Sequence, residues 1–192
     1  MARTGRYHHG DLAAALIHSA VQALSEAGPS KLSLRDVARR AGVSHGAPAH
    51  HFGDKAGLLT AVAVEGFGLF LRAIVTARDT AGDDAMARWA ATGRAYVLFA
   101  ADHRPYFEIM FRPELIRHDD PALVAAKEKT LGVLAEVIEV ANKDESPVRR
   151  ETLAVSSWAT AHGLAVLWLE GNLGDQTDRA ELESLLDRLF PA

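Results

Sequence analysis

The chain has 192 residues, with 21 Lys/Arg against 25 Asp/Glu for a formal net charge of −4, and it contains no cysteine. That length suits one or two small domains with a real core, and the missing cysteines exclude disulfides, thiolate zinc sites and cysteine nucleophiles while fitting a reducing cytoplasm. No stretch approaches ~20 uncharged apolar residues and the N-terminus lacks the apolar segment of a secretory signal, so no membrane partner is expected.

Strand signals are nearly absent, and helical spacing recurs along the chain. A first helix is expected from about Asp11 to Ala27, because Leu12, Leu16, Ala20 and Leu24 recur every fourth residue and Gly28-Pro29 stops it. Residues 33–55 then read as two short helices joined by a tight turn. Ser33 is an N-cap, Asp36 three residues on can complete a capping box, and Leu34, Val37 and Ala38 make a buried stripe. Gly42 supplies the left-handed turn, with Val43 packing beneath it. Ser44 caps the second short helix, which exposes His45, Ala47, His50 and His51. Pro48 then falls at the fourth helical position, past where proline is comfortable; it either fills an apolar slot facing the preceding helix or makes this one irregular. A helix this small and smooth, delivered by such a turn, is shaped to enter a DNA major groove.

Asp54 caps a fourth helix that runs through Leu58, Val62, Phe67 and Leu71 towards Arg78, with Gly66 and Gly68 weakening its middle. A fifth follows Ala81-Gly82-Asp83-Asp84 and carries Met86, Trp89, Gly93, Tyr96 and Val97. His103-Arg104-Pro105 opens a short aromatic helix, Tyr106 to Phe111. The seventh starts at Asp120-Pro121 and is expected to turn Leu123, Leu131, Leu134 and Ile138 inward. The eighth runs from Ser146-Pro147 to about Leu169, and the ninth from about Asp178 to Phe190. The expected fold is all-α, with about nine helices: a three-helix DNA-binding domain at 1–57 and a helical bundle at 58–192.

Charge divides the same way. Residues 1–57 hold seven Lys/Arg and four Asp/Glu, a net +3, together with six of the nine histidines; the acidic excess lies wholly in the remainder. A basic reading head on an acidic body suits a nucleic-acid partner. Base reading is expected from His45, Ala47 and the exposed part of His50, with Ser44 as the cap and Gly46 permitting close approach. His51 is expected to pack with Phe52 and touch backbone. Ser33, Arg35 and Lys55 sit at helix N-termini, where N–H groups favour phosphate. Arg3 and Arg6 lie on an arm that follows a phosphate run or a minor groove, or is an ordinary solvated tail. Arg39 and Arg40 are solvated or paired within the chain. Adjacent His50 and His51 point about 100° apart on a helix, so no metal site is expected, and nothing calls for a cofactor.

In the body, Trp89, Tyr96, Phe99, Phe107, Met110 and Phe111 either line a cavity or form plain core. Trp158 and His162 stack on one helix face. His162 either bonds a ligand or satisfies a backbone carbonyl while Gly163 lets a neighbouring helix approach. The last two helices are apolar on more than one face. Leu164, Leu167 and Trp168 on the eighth, and Leu182, Leu185, Leu186 and Leu189 on the ninth, are candidates for contact with a second subunit.

The segment from about Gly10 to Gly66 resembles the N-terminal domain of the TetR family of transcriptional regulators, on Ala41-Gly42-Val43-Ser44, His51-Phe52 and Asp54-Lys55 in that order and spacing. Tyr7-His8-His9-Gly10-Asp11-Leu12 and Trp158 followed by His162-Gly163 resemble the subfamily with a Trp-His-Gly (WHG) C-terminal domain. The resemblance implies a homodimer built on a four-helix interface, a near-palindromic double-stranded DNA operator, and repression released by a small-molecule effector that moves the fourth helix. Lys55 matches the family's phosphate-binding lysine. Ala49 departs from the pattern, standing where the family usually has a tyrosine that touches phosphate. An enzyme is not expected: no nucleophile turn, phosphate loop or metal spacing is present, and Asp119-Asp120 reads as a helix cap. The alternative is a helical ligand-binding or interaction dimer whose reading head has weakened.

Overall fold

The computed structural model describes residues 9–176 and 178–191, with side chains from residue 12 onward. Among the described residues the protein is all-α: α1 (His9–Lys31), α2 (Leu34–Arg40), α3 (Ala47–Phe52), α4 (Lys55–Thr80), α5 (Ala85–Asp102), α6 (Arg104–Met110), a 3-10 turn (Pro113–Leu115), α7 (Pro121–Ala141), α8 (Pro147–Leu169) and α9 (Arg179–Leu189). The chain forms two compact units. The first is built by the described residues through Glu65 together with Pro105–Leu123; the second is built by Gly66–Arg104 and the described residues from Val124 on. A linear division at residue 57 does not contain the 105–123 segment.

In the first unit α1 packs on α2 and α2 on α3, with Leu16, Ala20, Val37 and Ala38 fully buried. Gly28 at φ 72° and ψ 173° breaks α1, and Pro29–Lys31 adds one separate turn. Ser33 does cap α2, its Oγ accepting from Asp36 N at 3.2 Å. The return half of the capping box does not form, because stronger cationic partners take the Asp36 carboxylate: Arg40 Nε reaches it at 2.7 Å and Arg39 also pairs with it. Arg40 continues to Glu26 of α1 through both terminal nitrogens, at 2.9 and 2.7 Å. This planar fork laces α2 to α1 and holds the Glu26 and Asp36 carboxyls below their ordinary range, chiefly through the Arg40 hydrogen bonds.

Ser44 is not the cap of α3. The helix starts three residues later, with Gly46 as N-cap and no side-chain hydrogen bond. Pro48 therefore lies in the first turn, where its missing N–H costs nothing, and it is buried. The late start removes the conflict that the sequence posed. α4 runs unbroken through Gly66 and Gly68.

The second unit packs most extensively between α5 and α8. Phe70 meets Tyr96 edge-on at 4.8 Å and tilts against Phe99 at 4.9 Å. Each long helix begins where a cap permits: Asp84, Asp120, Ser146 and Asp178 each accept from a backbone N–H of the turn that follows. On α7 the inward position belongs to Thr130, whose Oγ1 donates to Ala126 O, while Leu131 is 49% exposed. Trp168, Leu182 and Leu186 are buried within their own protomer, so these three are corrected from interface to core. Leu167 and Leu189 remain exposed, and Leu164 and Leu185 half-buried. Among the described residues nothing lies within 4 Å of where a Cβ on Gly163 would stand.

By length and composition α4 and α8 are long and apolar enough to cross a membrane, against the expectation from the sequence. Half of the most apolar stretch of α4 is buried, as in any core helix, but only 22% of that of α8. The uncovered surface of α8 includes Val148, Val155 and Leu167.

Candidate DNA-reading face and ligand cavity

The turn between α2 and α3 follows from Gly42. At φ 65° it adopts a conformation that other residues resist, and it lets Val43 N reach back to Ala38 O at 3.0 Å while Gly42 N reaches Arg39 O at 3.2 Å. α3 then closes at Gly53 (φ 79°), whose N–H donates to Ala49 O at 2.9 Å. Between these two glycines the chain exposes Ser44, His45, Gly46, Ala49 and His50. His45 and Gly46 belong to the turn that precedes α3, not to the helix. Ala47 and His51 are half-buried, and the His51 ring lies 6.1 Å from Phe52 and 5.7 Å from His50. The side-chain hydrogen-bonding groups of this exposed strip are the Ser44 hydroxyl and the imidazoles of His45 and His50.

Flanking cations fall into two classes. Arg35 is exposed and Lys55 half-buried at the first turn of α4; among the described residues neither is held in an ion pair. Arg39 and Arg40 are paired within α2 and to α1. Ser33 is exposed beside Arg35. Arg3 and Arg6 lie outside the described residues.

Two residues at this face escaped the sequence reading. Arg117, in the connection between α6 and α7, places Nη2 3.0 Å from Asp54 Oδ1, and its backbone N–H donates to Thr60 Oγ1 at 2.9 Å. Asp54 also accepts from Gly57 N at 2.8 Å, and that backbone bond, ahead of Arg117, holds its carboxyl below the usual range. Gly57 is the second: a Cβ there would fall 1.9 Å from Phe52 O. The α3–α4 corner thus closes only around a glycine. A pairing 63 residues apart leaves no local sequence signal, whereas a glycine three residues after a capping Asp is a detectable oddity.

In the second unit a cavity of about 650 Å³ opens among α5, α7, α8 and the chain end. Trp89, Tyr96 and Trp158 line it, as expected from the sequence. The other candidates do not. Phe99 is core against Phe70 and His103; Phe107 and Met110 are buried in the first unit, where Phe111 stacks on Phe107 at 5.0 Å. Aromatic composition alone does not separate a wall from a core, because both bury the ring.

His162 is not in the cavity wall but behind it. Its Nδ1 lies 2.9 Å from Tyr96 Oη, and Trp158 Nε1 donates to the same oxygen at 3.3 Å. The Tyr96 hydroxyl thus joins Trp158 and His162 in one hydrogen-bonded cluster. Burial lowers the His162 pKa and raises that of Tyr96, keeping both uncharged near neutrality. The sequence offered a ligand or a backbone carbonyl as the partner of His162; the Nδ1 partner in the structure is the Tyr96 hydroxyl.

Residues 16–62 match the family described as bacterial regulatory proteins, tetR family, and residues 89–189 match the tetracyclin repressor-like C-terminal domain. The transcriptional regulator BetI of Stenotrophomonas maltophilia is 38% identical over 69 residues, which are 36% of this chain and 35% of BetI. The aligned part thus spans about a third of that curated relative. A protein of unknown function from Rhodococcus sp. RHA1 superposes with a TM-score of 0.77 at 33% identity, over 96% of each chain. AibR, solved in complex with isovaleryl coenzyme A and operator DNA, superposes with a TM-score of 0.70 at 20% identity, over 94% of this chain and 98% of AibR; that likeness is one of fold.

Proposed function

The chain belongs to the TetR family of transcriptional regulators, and from that membership we propose that it is a sequence-specific repressor. It binds a near-palindromic operator as a homodimer in the cytoplasm and leaves it when a small molecule fills the cavity. In this reading residues 1–57 read DNA and residues 58–192 sense the ligand and dimerise. The observation that carries it is the exposed strip Ser44, His45, Gly46, Ala49 and His50, held between two positive-φ glycines beside Arg35 and Lys55. His45 and His50 read base edges; Arg35 and Lys55 neutralise phosphate. Trp158, His162 and Gly163 support a WHG-type body, and the uncovered apolar surface of α8 with Leu167, Leu164, Leu185 and Leu189 supports a helical dimer interface. The effector acts through its differential affinity for the DNA-bound and free forms.

The test is selection from randomised duplex DNA with the purified chain at about 0.15 M salt, near physiological ionic strength. A two-fold-symmetric enriched motif is the expected result. A pool without enrichment removes the reading head and leaves the second reading, a ligand-binding dimer, which the exposed Ala49 at the family's tyrosine position favours.

A further inference from the structure

We propose that the cavity of the second unit selects an uncharged, predominantly apolar small molecule carrying only a few neutral oxygen functions, and rejects carboxylates and coenzyme A thioesters. The proposal rests on the reading of this cavity as the effector site. Its volume of about 650 Å³ suits a drug-sized molecule. Among the described residues, no Asp, Glu, Lys, Arg or His contributes to its wall.

The polar atoms that do reach the wall are neutral, and most are already committed inside the protein. Thr92 Oγ1 donates to Trp89 O at 2.8 Å, Ser156 Oγ to Thr152 O at 2.8 Å and Ser157 Oγ to Leu153 O at 2.6 Å. Tyr96 and Trp158 are engaged with each other and with His162. The nearby cations of α5 are turned to other tasks: Arg94 pairs with Asp187, and Arg88 with Asp83 and Gly82 O. A carboxylate buried against this wall would lose its water and gain no counter-charge from the described residues that line it, which is the costliest kind of burial. The phosphates of coenzyme A would meet the same deficit.

The Thr160 hydroxyl and the Trp89 indole N–H at the wall have no hydrogen-bond partner among the described residues, and the Trp158 donor is available for exchange. The bond from Trp158 Nε1 to Tyr96 Oη is long, at 3.3 Å, and Trp158 is 50% exposed. A hydroxyl or carbonyl oxygen of a ligand can take that N–H without leaving an ion unpaired. The remaining contact is apolar: Met86 and Leu131 at the wall are each about half-exposed and would be covered by the ligand. At the far end Gly93 admits the Phe190 ring, which would lie 2.6 Å from a Cβ at that position, so the end of the chain closes one side. AibR shares this fold and was solved with a coenzyme A thioester; the wall chemistry assigns this chain a different ligand class.

The test compares 1-dodecanol, dodecanoate and dodecanoyl-coenzyme A on the full chain, at a pH near 7.5 where the carboxylate is ionised. Binding is followed by quenching of the wall tryptophans Trp89 and Trp158 and by calorimetry. Dodecanol is expected to bind at least about tenfold more tightly than dodecanoate, with the thioester weaker still. Ala135→Lys, at an exposed wall position, supplies the missing counter-charge and should raise dodecanoate affinity relative to dodecanol. Equal or tighter binding of dodecanoate or of the thioester overturns the proposal, as does absence of dodecanol binding up to its solubility limit or an unchanged ratio in A135K. If dodecanol binds as expected but leaves operator affinity unaltered, the ligand class stands and the effector role falls.

Discussion

Replacing Gly57 with alanine sets two effects of opposite sign against each other. Gly57 lies within the first turn of α4, and in an open helix Gly→Ala stabilises by about 1 kcal/mol. Here the new Cβ would stand 1.9 Å from Phe52 O, against a practical minimum of 3.0 Å, and 3.0 Å from Arg117 Nη1. The obstructing atom is a backbone carbonyl at the end of α3 and cannot rotate aside as a side chain would. Overpacking of this kind costs about 1–3 kcal/mol, and a displacement of about 1 Å or more of backbone puts it at the upper end. The clash should therefore win by about 2 kcal/mol, lowering the melting temperature by ~4–8 °C for a chain of this size. Because the displaced carbonyl belongs to α3, operator affinity should also fall, by about tenfold or the equivalent of one base contact. Gly132→Ala is the internal comparison: it lies in α7 with open space around its Cβ position and no positive φ. It should raise stability by about 0.5–1 kcal/mol and leave DNA binding unchanged. Thermal unfolding by circular dichroism and operator titration by fluorescence anisotropy measure both variants. A Gly57→Ala protein that melts at or above the wild-type temperature and binds DNA normally would refute the argument.

Lys55→Ala should weaken binding to all duplexes alike and reduce the salt slope of log K by roughly 0.9, one phosphate contact; titrations at several salt concentrations read this directly. His45→Ala should instead change which half-site is preferred, at a cost of about 1–3 kcal/mol at one base pair, visible as a lost position in the selected motif. The lowered pKa of His162 carries a signed pH dependence. The unfolded imidazole takes up its proton near its ordinary pKa of 6.5 while the folded one resists, so stability is full above that pH and declines as pH falls towards the folded pKa. Denaturant melts between about pH 7.5 and 5 should show this decline in the wild type and a shallower one in His162→Gln.

The local alphabet of this chain determined where its helices begin and end. Ser33, Asp54, Asp84, Ser146 and Asp178 each provide a side-chain acceptor within three residues of the N–H it serves, and Gly28 and Gly42 adopt backbone conformations that a side chain would oppose. Such signals act over one helical turn, so they are legible without knowing the fold. The helix-turn-helix was legible for the same reason, and so was the exposure of His45 and His50, although His45 lies in the turn and His51 is half-buried. Ser44 misled because a cap-forming residue is also at home in a turn, and Gly46 took the cap.

What periodicity does not fix is which apolar face meets the interior when a helix has more than one. Leu131 and Thr130 are neighbours on α7, and packing in the second unit turned the threonine inward, where its hydroxyl bonds its own helix. Trp168, Leu182 and Leu186 read as interface and proved to be buried within the protomer. Periodicity is equally silent on the Arg117–Asp54 pair, on the Phe52 carbonyl over Gly57 and on the Tyr96–Trp158–His162 cluster. A cavity is a property of how several helices fail to touch, and that failure is encoded in no single segment; only the tertiary arrangement decided which described residues line it and that none of them is charged.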